Sequence, residues 1–393
     1  MSVYDTLGVR RIINAKGPAT RLSGGRIRPE VLAAMNEAAS ACVDMAELQG
    51  VAAQRIAAIT GAESGLVTSG AAAGLLLGTA ACVTGLDPGK MARLPQTDDM
   101  SSEVVVARSQ RNFYDHAVRT AGVHLVEVGL PDRYAGAGVR DAEPWEFADA
   151  IGPQTAAVLW VANANAQPSL PAVADVAHAA GVPVIVDAAA ELPPAANLRR
   201  FLDEGADLVA FSGGKAIGGP QASGILAGRR DLIMAAALQM LDLDIWLEQF
   251  RPDPAFIDLR RLRGLPAHGI GRPCKVGKEQ IVGLLAALDL FLAEGDDVRT
   301  SRWTELLVDL RCELAGLPLL DATLVPGVVP LLRLDLAIEA WPVVMALEEG
   351  SPSIRVDVEH HAAGRLVINP ICLQAGELAP LARRIGEILH RAS

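Results

Sequence analysis

The sequence predicts an α/β protein in which a mostly parallel sheet is covered on both faces by helices and followed by a smaller α+β lobe. Three observations predict it. Between about residues 65 and 228, short apolar runs alternate with helical patterns, as the strands and crossover helices of a parallel sheet do. Residues with chemical capacity fall where those runs end, and open α/β sheets carry ligands at the carboxyl ends of their strands. The chain has 393 residues, of which 51% are hydrophobic and 21% charged, so it has material for two packed lobes with real cores.

The elements follow in order. Residues 1–60 hold a loop-rich start and the amphipathic pattern VLAAMNEAASACV, read as an arm and helix joining the small lobe. Residues 61–245 form the large domain. There GLVT (65–68) precedes the small-residue run GAAAGLLLGTAACV, and VVVA (104–107) precedes a polar stretch and HLVEV (124–128). AAVLWVA (156–162) leads to a helix near 171–180 and then PVIVDAAA (183–190), DLVAFSGG (207–214) and SGILAG (223–228). Residues 246–393 form the small domain, with helices near 277–294 and 301–315, the strands VVPLLRLDL, IRVDV and RLVIN, and a final helix.

Composition narrows the partners. A formal net charge of −11 argues against a polyanion such as nucleic acid. No run of 18 apolar residues indicates a membrane span, and MSVYDTLGVRRIINAKG lacks the layout of a signal peptide. Five widely spaced cysteines without a CxxC pair fit reduced thiols in a cytoplasmic protein and give no metal-ligand pattern. The pair His360–His361 reads as surface polarity before metal, so no metal site is expected.

Lys215 lies in FSGGKAIGGPQASG, the one cation among five glycines and two serines. Glycines permit close backbone approach to a ligand, and a desolvated ammonium loses its proton more readily and becomes a nucleophile. The plainer reading is a lysine on a surface loop. Asp187 ends the apolar run PVIVD, where a carboxylate needs a cationic partner or strong donors. A protonated pyridine nitrogen is one such partner, and capping the next turn is the alternative. TSGAAAG (68–74) sits between a strand and a helix, where free N–H groups make a phosphate site or a simple cap. It is neither a P-loop nor the GxGxxG dinucleotide fingerprint.

Phosphate cradle, then carboxylate, then lysine is the order of a fold-type-I pyridoxal-phosphate enzyme. FSGGKAIGGPQASG, RIINAKG, TGAE (60–63), TSGAAAG and IGRPCKVGKE (270–279) resemble the selenocysteine synthase (L-seryl-tRNA selenium transferase) family. The last of these, with NFYDHAVRTAG (112–122) and VDAAAELPP, is similar to the branch that contains D-glucosaminate-6-phosphate ammonia-lyase. The resemblance covers most of residues 10–290. It implies the aspartate aminotransferase-like fold, pyridoxal 5′-phosphate as cofactor, and a homodimer or higher homo-oligomer.

Residue by residue, the resemblance implies that Lys215 carries the cofactor and later moves the α-proton, while Asp187 pairs with the pyridine nitrogen. Ser69, Gly70 and Ala71 would hold the phosphate, with the Ser212 hydroxyl. Asn163, or else Asn165, would donate to the ring hydroxyl, and His116 or its neighbour Tyr114 would stack on the ring. Arg272, Lys275 and Lys278 form a basic cluster suited to anionic substrate or cofactor oxygens, in the neighbouring subunit's site or its own; a solvated helix start is the alternative. Arg355 or Arg365 could take a substrate carboxylate.

The expected reaction is loss of the α-proton and a β-hydroxyl from a small hydroxylated amino acid or amino sugar acid, with ammonia release to a 2-keto-3-deoxy acid. In selenocysteine synthases a tRNA-binding domain precedes the segment resembling RRIINAKG, whereas ten residues precede Arg11 here. That and the acidic charge favour a small anionic substrate over tRNA, with no nucleic acid and no membrane as partner. Arg21 and Arg26 in ATRLSGGRI, and the stretch RLPQTDDMSSEV, depart from the lyase pattern. Seryl-tRNA selenium transfer, aldol cleavage and racemisation are the alternatives.

Overall fold

Runs such as AAVLWV and VIVD bury almost every residue, so their sheet must be covered on both faces, the situation parallel strands adopt. The structure, a computed structural model, describes residues 2–130 and 141–392. In chain order, β1 (Ile12–Ala15) stands apart from this sheet. The next seven strands form it: β2 (Ser64–Thr68), β3 (Glu103–Ala107), β4 (His124–Val128), β5 (Thr155–Val161), β6 (Val184–Asp187), β7 (Leu208–Ser212) and β8 (Gly224–Gly228). Their order is β2-β8-β7-β6-β5-β3-β4. Only β8 runs against its neighbours; the pairs from β7 through β4 are parallel. Six carboxyl ends and the start of β8 therefore share one edge.

The helix Ala71–Thr84 has no polar face and is buried almost throughout. Two glycines one turn apart let it lie close to the sheet: a Cβ on Gly74 would sit 3.4 Å from the Ala210 methyl, and one on Gly78 would sit 3.2 Å from Leu208 Cδ1. The edge strand β2 is closed by a side chain rather than a strand. Gln49, fully buried on the helix Met45–Thr60, donates from Nε2 to the Val67 carbonyl at 2.8 Å and accepts from the Val67 amide at 3.1 Å. A primary amide thus supplies the two bonds a further strand would make.

Two compact units divide the chain. The larger comprises Ile27–Leu192 and Ala196–Asp289, so residues 27–60 and 246–289 belong with the seven-stranded sheet. The division expected from the sequence lies at 60/61 and 245/246. The smaller unit comprises Met1–Arg26, Pro193–Ala195 and Leu290–Ser393. In it β1 pairs in parallel with β11 (Ser353–Val356). β9 (Leu319–Val325), β10 (Leu331–Leu336) and β12 (Arg365–Ile368) form a separate antiparallel sheet in the order β12-β10-β9. Leu332, Leu334, Ile354, Leu381 and Ile385 lie at the centre of this unit's core.

Two strands, β1 and β9, lie outside the strand pattern of the sequence. β1 lies inside the loop-like start, and its partner is 341 residues away at Ser353, so nothing local marks it as a strand. β9 is half exposed and lacks the continuous burial that marks the interior strands.

The smaller unit also buries a charge. Arg299 is 1% exposed on the helix Asp296–Glu313, and lies 3.8 Å above the Phe291 ring. It pairs with Asp296 at 2.5 Å and Glu294 at 3.3 Å, and donates to the Phe291 carbonyl. Burial pulls its pKa down and the two carboxylates pull it back. Arg299→Met should therefore leave Asp296 without its cation and Glu294 with Arg302 alone. The expected loss is about 3 kcal/mol of unfolding free energy in urea titration, with only partial recovery in Arg299→Lys.

Candidate active site

The carboxyl edge of the sheet brings Asp187 and Lys215 together from adjacent strands. Asp187 is the last residue of β6; the register places it beside Val161 of β5 and Ala210 of β7. Its carbonyl accepts from the Ala162 amide at 2.9 Å, and the Ala188 amide donates to the Ala210 carbonyl at 3.0 Å. Lys215 follows the end of β7 by three residues. Asp187 is 7% exposed, and its Oδ1 accepts from the Ala189 amide at 3.1 Å, so it also organises the turn after its strand.

Burial pushes the Asp187 carboxyl above its ordinary value, opposed by the Ala189 N–H and by Lys215. Burial pulls the Lys215 ammonium below its ordinary value, opposed by Asp187 and by Glu191. For both groups desolvation outweighs mutual attraction. The site therefore holds an acid and an amine that both lean towards their uncharged forms.

The glycines around Lys215 have a more local purpose than close approach to a ligand. The Gly213 amide donates to the Ser223 carbonyl and the Gly219 amide to the Gly213 carbonyl, each at 2.9 Å, which folds the segment back on itself. A Cβ on Gly213 would fall 2.5 Å from Leu284 Cδ1 and closer still to Ser223 Oγ; one on Gly214 would fall 2.7 Å from Gln221 Cα. Gly218 has φ +76° and makes the turn.

Ser69, Gly70 and Ala71 lie at the same edge, between β2 and the helix Ala71–Thr84. Gly70, at φ +138°, is the N-cap and provides no side-chain bond, so the helix N–H groups have no side-chain cap. Gly224, the first residue of β8, faces Thr68 on one side and Ser212 on the other. A Cβ there would lie 2.5 Å from the Gly70 carbonyl carbon and 2.8 Å from the Ala71 nitrogen. Ser212, at the end of β7, is half-buried. The Ser69 hydroxyl donates to the Cys274 carbonyl at 2.9 Å, tying residues 270–279 to this turn within one chain.

Other expected residues are engaged differently. Asn163 is exposed and closes a local turn, accepting from the Asn165 amide at 2.9 Å; Asn165 is exposed too. His116 is exposed in the first turn of the helix Asp115–Thr120, and Tyr114 is exposed just before it. That helix is anchored by buried Asp115, which Arg111 binds at 2.5 Å while also pairing with Glu127.

Within the basic segment, Arg272 donates to the Met240 carbonyl at 2.6 Å and pairs with Asp242 at 2.7 Å. Lys278 donates to the Ala39 and Ala41 carbonyls at 3.2 and 2.6 Å. Met240 and Ala39 end helices, so both cations serve as C-terminal caps. Lys275 is the exposed member, near Asp242. In the smaller unit, Arg355 lies on β11 beside Asn14 of β1, bonded to Ser353 Oγ at 3.0 Å and paired with Glu348 at 3.5 Å. Arg365 on β12 pairs with Asp335 at 2.8 Å. Among the described residues no group of three His, Cys, Asp or Glu side chains could hold a metal, and no helix is long and apolar enough to cross a membrane.

Sequence reasoning passed over Glu191. The segment VDAAAELPP was in view, but a glutamate in a loop of small residues gives no signal of its neighbours. Its carboxyl is half-buried and pushed up by burial, with Arg200, Asp187 and Lys215 as its charged neighbours.

The chain is similar to known proteins over its whole length. The L-seryl-tRNA selenium transferase family profile matches residues 44–244. A 5′-C-glycyluridine monooxygenase-decarboxylase from a Streptomyces species is 31% identical over 98% of this chain and 92% of its own. A D-glucosaminate-6-phosphate ammonia lyase from Salmonella typhimurium is 29% identical over 100% of this chain and 99% of its own. A solved structure of D-glucosaminate-6-phosphate ammonia-lyase superimposes with a TM-score of 0.81 at 28% identity, covering 100% of this chain and 99% of that one. The fold is fold type I of the pyridoxal-phosphate enzymes.

The capping geometry of the basic segment yields a stability prediction. Arg272→Met and Lys278→Met should each lower the unfolding free energy, by about 1 kcal/mol, because each leaves helix-end carbonyls without their cation. Thermal denaturation at low and high salt checks this, and the deficit should shrink as salt screens the native pair.

Proposed function

Because the chain belongs to the L-seryl-tRNA selenium transferase family of enzymes, we propose that it is a pyridoxal-phosphate-dependent lyase. Its substrate is a β-hydroxy α-amino acid built on a sugar-like carbon chain. The observation that carries the reading is the buried Asp187 beside the Lys215 amine at the carboxyl edge of the sheet. The names of the two full-length relatives support the substrate class, since glucosaminate and 5′-C-glycyluridine are both amino acids carried on a hydroxylated sugar skeleton. We take the working form to be a cytoplasmic homodimer or a multiple of it, since closed two-fold assemblies are commonest. A net charge of −11 weighs against tRNA as substrate.

The donor set fits the cofactor. A buried carboxyl that resists ionisation suits a pyridinium partner, which would draw out its charge. A helix start without a side-chain cap, kept open by Gly224, suits a phosphate. Bound there, the group supplies an electron sink for the bond broken at the α-carbon. Asp187 would hold the ring nitrogen protonated. Ser69, Gly70, Ala71 and Ser212 would hold the phosphate. Lys215 would bind the group, then take the α-proton from the substrate and return a proton later; burial pulls its ammonium below its ordinary value, which favours the neutral amine this role needs. Asn163 or Asn165, His116 or Tyr114, and Lys275 remain candidates for ring and substrate contacts after rearrangement of their exposed side chains. Arg355 or Arg365 could bind a substrate carboxylate.

The Streptomyces relative favours one second reading, oxygen-dependent decarboxylation. A single panel separates them: hydroxylated amino acids, amino sugar acids with and without phosphate, and glycyl nucleosides, assayed for ammonia, carbon dioxide and oxygen uptake. Ammonia with a 2-keto acid and no oxygen uptake is expected. Carbon dioxide release coupled to oxygen uptake would replace the lyase reading. Borohydride reduction of the holoprotein should leave a pyridoxyl group on Lys215 by peptide mapping, and Lys215→Ala should lose both that adduct and turnover.

The cradle gives a separate expectation. Gly224→Ala should weaken pyridoxal-phosphate binding at least tenfold, because the new Cβ meets backbone atoms of Gly70 and Ala71 that have no rotamer to adopt. Equilibrium titration of the absorbance, with circular dichroism as a fold control, measures it.

A further inference from the structure

We propose that Gln239 is a positioning residue of the phosphate cradle at Ser69–Ala71. It seats residues 269–274 so that the Cys274 carbonyl holds the Ser69 hydroxyl, and the cradle's grip on a phosphate depends on that tie. The inference rests on the reading of Ser69–Ala71 as the phosphate site.

Gln239 is the penultimate residue of the helix Arg230–Met240 and is fully buried. A buried primary amide must find partners for its donors and its acceptor. Here Oε1 accepts from the Ile270 amide at 3.2 Å, and Nε2 donates to Thr84 Oγ1 at 3.4 Å. Thr84 ends the helix that Ala71 begins. The Gln239 carbonyl, one of the acceptors a helix end leaves open, accepts from the Gly271 amide at 3.0 Å. One residue thus binds two successive amides of the segment, with its side chain and with its backbone.

Two glycines allow this approach. A Cβ on Gly269 would lie 2.3 Å from Gln239 Cα. One on Gly271 would lie 2.4 Å from Leu77 Cδ2, on the cradle helix, and 2.9 Å from the Gln239 carbonyl oxygen. The segment is pinned between the end of one helix and the side of the other. From there a single turn, Arg272–Cys274, is closed by the Cys274 amide on the Gly271 carbonyl at 2.9 Å. It carries the Cys274 carbonyl to Ser69 Oγ, also at 2.9 Å. A hydroxyl has one proton to give, and Ser69 gives it to Cys274. The Ser69 side chain therefore fixes the turn after β2 and leaves the backbone N–H groups for the phosphate. Loss of the Gln239 amide loosens residues 269–271, and with them the bond that holds Ser69.

The test compares pyridoxal phosphate with pyridoxal, which lacks the phosphate, by equilibrium titration of cofactor-free protein, with circular dichroism as a fold control. Gln239→Met should weaken pyridoxal phosphate about fivefold and leave pyridoxal unchanged. A structural role alone would weaken both alike, so equal losses, or none, would overturn the proposal. In a Ser69→Ala background Gln239→Met should weaken pyridoxal phosphate less than in native protein, because the tie is already cut. An undiminished effect there would also overturn it. Native protein that binds the two ligands equally would instead sink the reading of Ser69–Ala71 as the phosphate site. If Gln239→Met does not fold, hydrogen exchange in native protein reads the same link from the other end, because linkage is reciprocal. Pyridoxal phosphate should then slow exchange of the Ile270 and Gly271 amides more than pyridoxal does, and equal exchange with the two would overturn the proposal.

Discussion

An acid and an amine share one dehydrated sheet edge, and the arrangement around them depends on that constraint. Water solvates a carboxylate and an ammonium better than protein does, so burial works against both charges, while their proximity works for both. At Asp187 and Lys215 desolvation is the larger effect for each. Burial thus shifts each group towards its uncharged form. Perturbed groups of this kind gather at functional sites.

The scaffold keeps this edge in place by closing its own polar groups locally. Gln49 completes the edge of β2, and Arg272 and Lys278 end helices. The glycines beside Lys215 satisfy the fold of their own loop, where side chains at 213 and 214 would collide with Ser223, Leu284 and Gln221. Residues that look chemical in the sequence are thus partly architectural. The architecture in turn fixes the chemical ones: the 270–279 segment is bonded to Ser69 through the Cys274 carbonyl. A basic cluster and a phosphate-like turn are therefore one assembled region of the larger unit.

The profile match over 44–244 contains the helix start, Asp187, Glu191 and Lys215. Two full-length relatives of similar identity carry different named activities. One fold thus hosts more than one named activity, because function is set by the site and not by the fold.

The sequence by itself determined the sheet. Runs such as VVVA, AAVLWV, VIVD and DLVAF bury both faces, so their hydrophobicity alone identifies them as interior strands, and the residue after each run is placed at the ligand edge. Asp187 stands out as a charge ending an apolar run, and Lys215 as the lone cation in a glycine-rich segment. What only the tertiary structure decided are relations between residues distant in sequence. β1 became a strand only through Ser353–Val356. Arg272 and Lys278 became helix caps only because Met240 and Ala39 end their helices beside them. Glu191 became a neighbour of Lys215 only through the turn after β6 and the loop after β7. A side chain's partners are set by three-dimensional distance, and local pattern carries no record of it.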